Sequence, residues 1–308
     1  MSQESSVTGP GNVSAPSQPA SPNIAERGVR VAGVRVATAM SDALRALLAR
    51  APLVVLPSPG FVWRDYLAVM ERFAAERRVF ALDWPGFGTS DQPAASEFAY
   101  TLDGYQELFG AWLDTVGIAR GVLLAGGLAA IVALRFAAAH PKRVAGLALV
   151  APHGFSAPRL TTRLTHWAAT APRLLRLTWP LTTSLLIGPA TTLSAPVAER
   201  HRLLRRTPGH ATAIAAHAAL WRTLPPLADL TQTAGTVAAP AAVIRGALDP
   251  LVTVGDARRA AEAVGSHGAL EITLPGAGHL PFLQQPDRFA AALAGLLNTA
   301  ELQAAARG

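Results

Sequence analysis

The chain has 308 residues, half of them apolar, a formal net charge of +7 and no cysteine. This size and apolar content support one large α/β domain with an inserted element rather than two unrelated domains. The missing cysteines exclude disulfides, thiolate catalysis and thiolate metal sites, and fit a reducing compartment such as the cytoplasm.

Residues 1–27 are rich in Ser, Pro, Gly and Gln, hold no apolar run resembling a signal peptide, and are expected to form a disordered tail. From Gly28 to Met40, Val alternates with Arg or small residues, the pattern of a half-buried hairpin. Residues 41–50 read as a short helix or ordered loop. Pro52 to Leu56 is a buried strand, closed by the turn PSPGF. Val62 to Arg77 is an amphipathic helix with Trp63, Tyr66, Leu67, Met70 and Phe73 on one face. A strand from Arg78 to Asp83 leads into DWPGFGTSD, where Gly86 and Gly88 permit a tight loop and Asp83 is placed to accept backbone amides. Tyr100 to Val116 is the next helix.

The run GVLLAGGLAAIVAL, Gly121 to Leu134, reads as strand, sharp turn and helix, the helix ending near His140. A corner this tight needs positive φ and small neighbours, which Ala125, Gly126, Gly127 and Ala129 provide. Val144 to Val150 is a strand. Strand and helix alternate from Pro52 to Pro152, which implies a parallel sheet covered on both faces.

Residues 153–235 break the alternation and are read as a helical cap. Helices are expected at 161–177, 198–204 and 212–224, separated by Pro158, Pro172, Pro180, Pro189, Pro196 and Pro208. This segment holds nine arginines against Glu199 and Asp229, so it carries the whole net charge of +7. Alternation resumes with strands at 241–245 and 270–274 and helices at 254–264 and 286–304. No stretch reaches the ~20 apolar residues of a membrane span.

Three stretches together carry a resemblance. The turn at 125–129 resembles the nucleophile elbow of the α/β-hydrolase superfamily, with Ala125 and Ala129 at its flanking glycines and Gly127 at its serine. DWPGFGTSD resembles the loop after that family's fourth strand, a structural element. Asp249 in AAVIRGALDPLV and His279 in ITLPGAGHLPF resemble its acid and histidine loops, in the family's chain order. The resemblance covers residues 52–297 outside the cap. It implies an α/β-hydrolase fold with a mostly parallel sheet of about eight strands, flanking helices and an inserted cap over 153–235, the core being 28–152 and 236–308.

By that resemblance Asp249 orients His279 as a base, and no side-chain oxygen stands at the vacant nucleophile position Gly127. The oxyanion amides fall on Leu128 and Phe61, because Pro57 and Pro59 have no N–H to give. Ser58 is noted as an alternative nucleophile, and Ser90 as a weaker one. The histidines at 153, 166, 201, 210, 217 and 267 lack metal-ligand spacing, so neither metal nor cofactor is expected.

Function is therefore read first as general-base chemistry, a hydrolysis without covalent intermediate, an elimination or a rearrangement, on an apolar or weakly acidic small molecule. The alternatives are a non-catalytic binding pseudo-hydrolase and a conventional hydrolase with a relocated serine. For the cap, the favoured reading is solvated arginines whose apolar partners Leu164, Trp167, Leu174, Leu175 and Leu177 pack on the sheet. Peripheral contact with anionic membrane, because Arg163, Arg173 and Arg176 interleave with Leu and Trp, and attraction of an acidic ligand are the other two. Nucleic acid is not expected, for no binding motif accompanies the charge.

Overall fold

Apolar runs too short for helices become the strands of one sheet. The computed structural model describes residues 24–41, 50–155, 160–187, 198, 209–224, 230–265 and 268–305. In chain order these form β1 (Ile24–Val31), β2 (Val34–Ser41), β3 (Leu53–Leu56), α1 (Leu67–Ala74), β4 (Val79–Leu82), α2 (Leu102–Thr115), β5 (Gly121–Gly126), α3 (Gly127–Ala139) and β6 (Val144–Val150). There follow α4 (Leu160–Thr170), α5 (Pro172–Ile187), α6 (Gly209–Arg222), α7 (Thr231–Gly235), β7 (Ala241–Gly246), α8 (Val254–Ala263), β8 (Leu270–Leu274), α9 (Pro281–Gln284) and α10 (Pro286–Ala305).

The strand order is β1-β2-β4-β3-β5-β6-β7-β8, antiparallel only where β2 pairs with β1 and β4. Strands β3 to β7 are buried on both faces, which is why they read as continuous Val, Leu, Ile and Ala. Helices α2, α3 and α8 bury their apolar sides on one face, while α1 and α10 cover the other. The hairpin begins at Ile24, a residue 1% exposed that faces Ser41. Residues 24–27 thus belong to the sheet and not to a tail. Residues 1–23 and 42–49 lie outside the described residues.

The helix expected from Val62 opens as a 3-10 turn, Trp63–Tyr66, before α1. Asp83 explains the junction. Its Oδ1 accepts the Trp63 amide at 2.8 Å and its Oδ2 the Thr89 amide at 3.2 Å, so one carboxylate holds two loops. Burial pushes that carboxyl up to about 7 despite those bonds. Gly88, at φ +57, is required here, because a Cβ would collide with the Asp83 carboxylate. Ser90 is structural too: its hydroxyl donates to Asp83 O at 2.6 Å and accepts from Ala37 N at 2.8 Å.

Between β6 and β7 the described elements are all helical. The helix expected over 161–177 is two, because Pro172 starts α5 at its first position, where no N–H is needed. Pro180, expected to be a separator, lies inside α5. Of the helix expected at 198–204, only Ala198 is described. Helix α6 sends Ala216 and Leu220 into the main core, and Leu175 of α5 packs on its Ile214 and Ala218. Leu164, Trp167 and Leu177 do not pack on the sheet. They are 55%, 64% and 78% exposed, because α4 and α5 lie outside α6 and turn those positions outward.

Candidate active site

Five adjacent strands, β3, β5, β6, β7 and β8, run parallel and end on one edge, which is where open α/β sheets gather their ligands. The residues just past those ends are Ser58, Gly127, His153, Asp249 and His279.

The acid loop is fixed by its own carboxylate. Asp249 Oδ1 accepts the Leu251 and Val252 amides at 2.8 and 3.0 Å, an arrangement that Pro250, lacking an N–H, leaves undisturbed. Beneath it the buried Arg245 donates from Nε to Val252 O at 3.2 Å. The histidine loop is bound to the acid loop by backbone bonds, Ala247 N to Leu274 O and Leu248 N to Ala277 O. Gly246 makes this approach possible, because any Cβ would meet the carbonyls of Ala277 and Gly278.

This scaffold sets His279 Nδ1 at 2.9 Å from Asp249 Oδ2 and 3.1 Å from Oδ1. Both side chains are buried, at 6% and 8% residue exposure. Burial alone would push the Asp249 carboxyl up. The hydrogen bond and charge of His279, with the Val252 and Leu251 amides, outweigh it and hold the carboxyl below its usual range. An ionised carboxylate only accepts, so Nδ1 carries a hydrogen, and in the uncharged form of the ring the lone pair lies on Nε2.

Gly127 opens α3 at φ +50, a left-handed conformation that glycine adopts without strain. The space beside it is not open. A Cβ built there would stand 2.6 Å from Ser58 Oγ and 3.9 Å from His153 Cδ2. The Ser58 hydroxyl in turn accepts the Leu128 amide at 3.3 Å. The expected oxyanion pair is therefore not assembled: Phe61 N donates to Ser58 O at 2.8 Å and closes its own turn, while Leu128 N faces a hydroxyl.

Two histidines that spacing rules set aside belong to this site. His153 follows β6, where Ala151 holds a non-glycine φ of +44, and its ring centroid lies 5.8 Å from that of His279. Burial, then the neighbouring His279, lower its pKa to about 4. His217 comes from α6. Its Nε2 accepts Trp221 Nε1–H at 2.8 Å, and burial brings its pKa down to about 4. The Trp221 ring also packs against His153 at 5.7 Å. Asp249 and His279 stand out in the sequence through loops that resemble the family's acid and histidine loops, whereas His153 shares with them only its place past a strand end, here that of β6. Nothing local marks His217, since only the folded cap brings it over the sheet. Among the described residues no group of three or more candidate ligands could hold a metal ion.

A model of the "Alpha/beta hydrolase family" matches residues 53–292. Over 110 residues the chain is 33% identical to the 2-hydroxymuconate semialdehyde hydrolase of Pseudomonas sp. (strain CF600), a match spanning 35% of this chain and 38% of that protein. Among solved structures it is similar to the haloalkane dehalogenase DbeA-M1 loop variant from Bradyrhizobium elkanii, with TM-score 0.73, 20% identity, and 93% of this chain and 100% of that one covered. It is also similar to a serine-to-alanine mutant of CumD, a meta-cleavage product hydrolase from Pseudomonas fluorescens IP01, with TM-score 0.72, 17% identity and coverage of 89% and 98%.

Proposed function

The chain belongs to the alpha/beta hydrolase family, and from that premise we propose that it performs general-base chemistry on an apolar small molecule without forming an acyl-enzyme at residue 127. The buried His279–Asp249 hydrogen bond carries this reading. In the step proposed, His279 Nε2 removes a proton from water as the water oxygen attacks a carbonyl carbon. The resulting imidazolium, stabilised by Asp249, returns that proton to the leaving group. With a substrate bearing an acidic C–H or O–H, the same nitrogen removes the proton directly and the reaction is an elimination or rearrangement.

His153 faces the same corner with a neutral ring, so it can donate or accept a hydrogen bond beside the reacting carbonyl without repelling the imidazolium. Turnover of a panel of apolar esters, lactones and cleavable diketones by the protein and by His279→Ala tests the reading. General-base catalysis contributes typically ~10²–10⁴-fold, and His279→Ala is expected to lose that much. Equal turnover by both proteins would end the reading.

One observation favours a second reading, a hydrolase with its nucleophile moved. The Ser58 hydroxyl lies 2.6 Å from the Cβ position of residue 127, beside the Leu128 amide. A fluorophosphonate adduct mapped to Ser58, absent in Ser58→Ala, is its signature. Turnover that survives in Ser58→Ala but not in His279→Ala supports the first reading. Saturable ligand binding with no turnover and no dependence on His279 would indicate a binding pseudo-hydrolase.

A further inference from the structure

Helices α4 and α5 each show two different faces. Inward, His166 donates from Nε2 to Leu224 O at 2.6 Å, Leu175 is buried on α6, and Trp179 presses on Gly60 in the turn after β3. Outward, Leu164 and Trp167 of α4 are 55% and 64% exposed, and Leu177 and Leu181 of α5 are 78% and 66% exposed. On each helix these residues are three or four apart, so each pair makes one stripe.

Water does not favour such a surface. Four large apolar side chains, exposed in pairs on two helices that pack against each other, mark a docking face rather than scattered surface residues. Its charge is of one sign. Arg163, Arg173 and Arg176 are exposed at positions adjoining the stripes, and no Asp or Glu occurs anywhere from His153 to Ile187. An acid-free arginine face repels a second copy of itself, which disfavours a symmetric dimer through this surface. It attracts a surface that is negative and can also receive Leu and Trp.

We propose that the outward face of α4 and α5 docks on the surface of an anionic phospholipid bilayer. Leu164, Trp167, Leu177 and Leu181 enter the region between headgroups and acyl chains, and the arginines lie along the phosphates. The association is at the surface: among the described residues no helix is long and apolar enough to cross a membrane. Helix α5 then touches lipid on one side and, through Trp179, the Ser58–Phe61 turn on the other.

Flotation of the full chain with phosphatidylcholine vesicles, with and without phosphatidylglycerol, tests this independently of any activity. The protein is expected to float with the phosphatidylglycerol vesicles alone and to detach as salt rises. Arg163→Gln/Arg173→Gln/Arg176→Gln is expected to bind weaker on the order of a hundredfold, from the usual contribution of a basic residue near such a surface. Trp167→Ala/Leu177→Ala should bind weaker at every salt concentration, and brominated lipid should quench less fluorescence in Trp167→Phe than in the wild type. All the substituted residues are exposed, so unchanged melting temperatures verify the fold. Failure of the wild type to float with anionic vesicles, or equal flotation of the arginine variant, overturns the proposal. So does a lipid-free dimer that Leu177→Asp dissociates, since that assigns the face to a second copy.

Discussion

Gly127 and Ser58 are a matched pair. A side chain at 127 meets the Ser58 hydroxyl at 2.6 Å and must also adopt φ +50, so Gly127→Ser is expected to destabilise the protein by about 1–3 kcal/mol. Removing the obstructing hydroxyl with Ser58→Gly should recover part of that loss, leaving a coupling of about 1 kcal/mol in a urea-denaturation cycle. Additive effects would mean that the two positions do not compete for one space. The neutral histidines yield a pH prediction. His153 and His217 titrate near 4 when folded against 6.5 for an ordinary imidazole, so as pH falls the unfolded chain takes up protons first. Their contribution is complete above about 6.5 and is lost down to about 4. Buried Asp83, raised to about 7, acts in the opposite direction, so the difference between variant and wild type is the quantity to measure. His217→Gln should flatten the fall of melting temperature between those pH values. Asp249, His279 and the corner at 127 were legible in the sequence because the loops that hold them, each after an apolar run, resemble the acid, histidine and elbow loops of one family in that family's chain order. The Ser58 contact was not, since it depends on which turns the sheet places side by side.

Strands and most helices were visible as periodicity, and the departures have local causes. Asp83 draws the Trp63 amide into a 3-10 turn, Pro172 opens a helix instead of interrupting one, and α5 absorbs Pro180. The outward turn of Leu164, Trp167 and Leu177 was not legible, because an apolar stripe on a helix looks the same whether it faces a core or solvent. At the junction of β7 with the histidine loop, Gly246 allows two backbones to touch. Gly246→Ala should cost about 1–3 kcal/mol by overpacking and should also reduce any activity that depends on His279. Denaturation that matches the wild type would show that the loop yields without strain.

Across the whole molecule, distant parts of the chain are joined beneath the sheet. Arg77, 1% exposed in the bend after α1, donates to Ala51 O at 3.2 Å and to Glu301 of α10 at 2.6 Å. Removing the carboxylate leaves a buried guanidinium without its partner. Glu301→Ala should therefore destabilise the fold by about 2 kcal/mol, below the usual ~3–5 for a fully buried pair because Glu301 retains some solvent. The order of strands could not be read from periodicity, which does not say which neighbour a strand chooses; the α/β-hydrolase resemblance, carried by loops, implied the architecture.

The backbone bonds from Ala247 to Leu274 and from Leu248 to Ala277 make the acid and histidine turns one mechanical unit. Neither turn can swing away without unzipping the other, so the His279–Asp249 hydrogen bond is lost in a single cooperative opening rather than by gradual drift. Deuterium uptake at the amides of residues 247 and 248 should then rise in step, at one common rate.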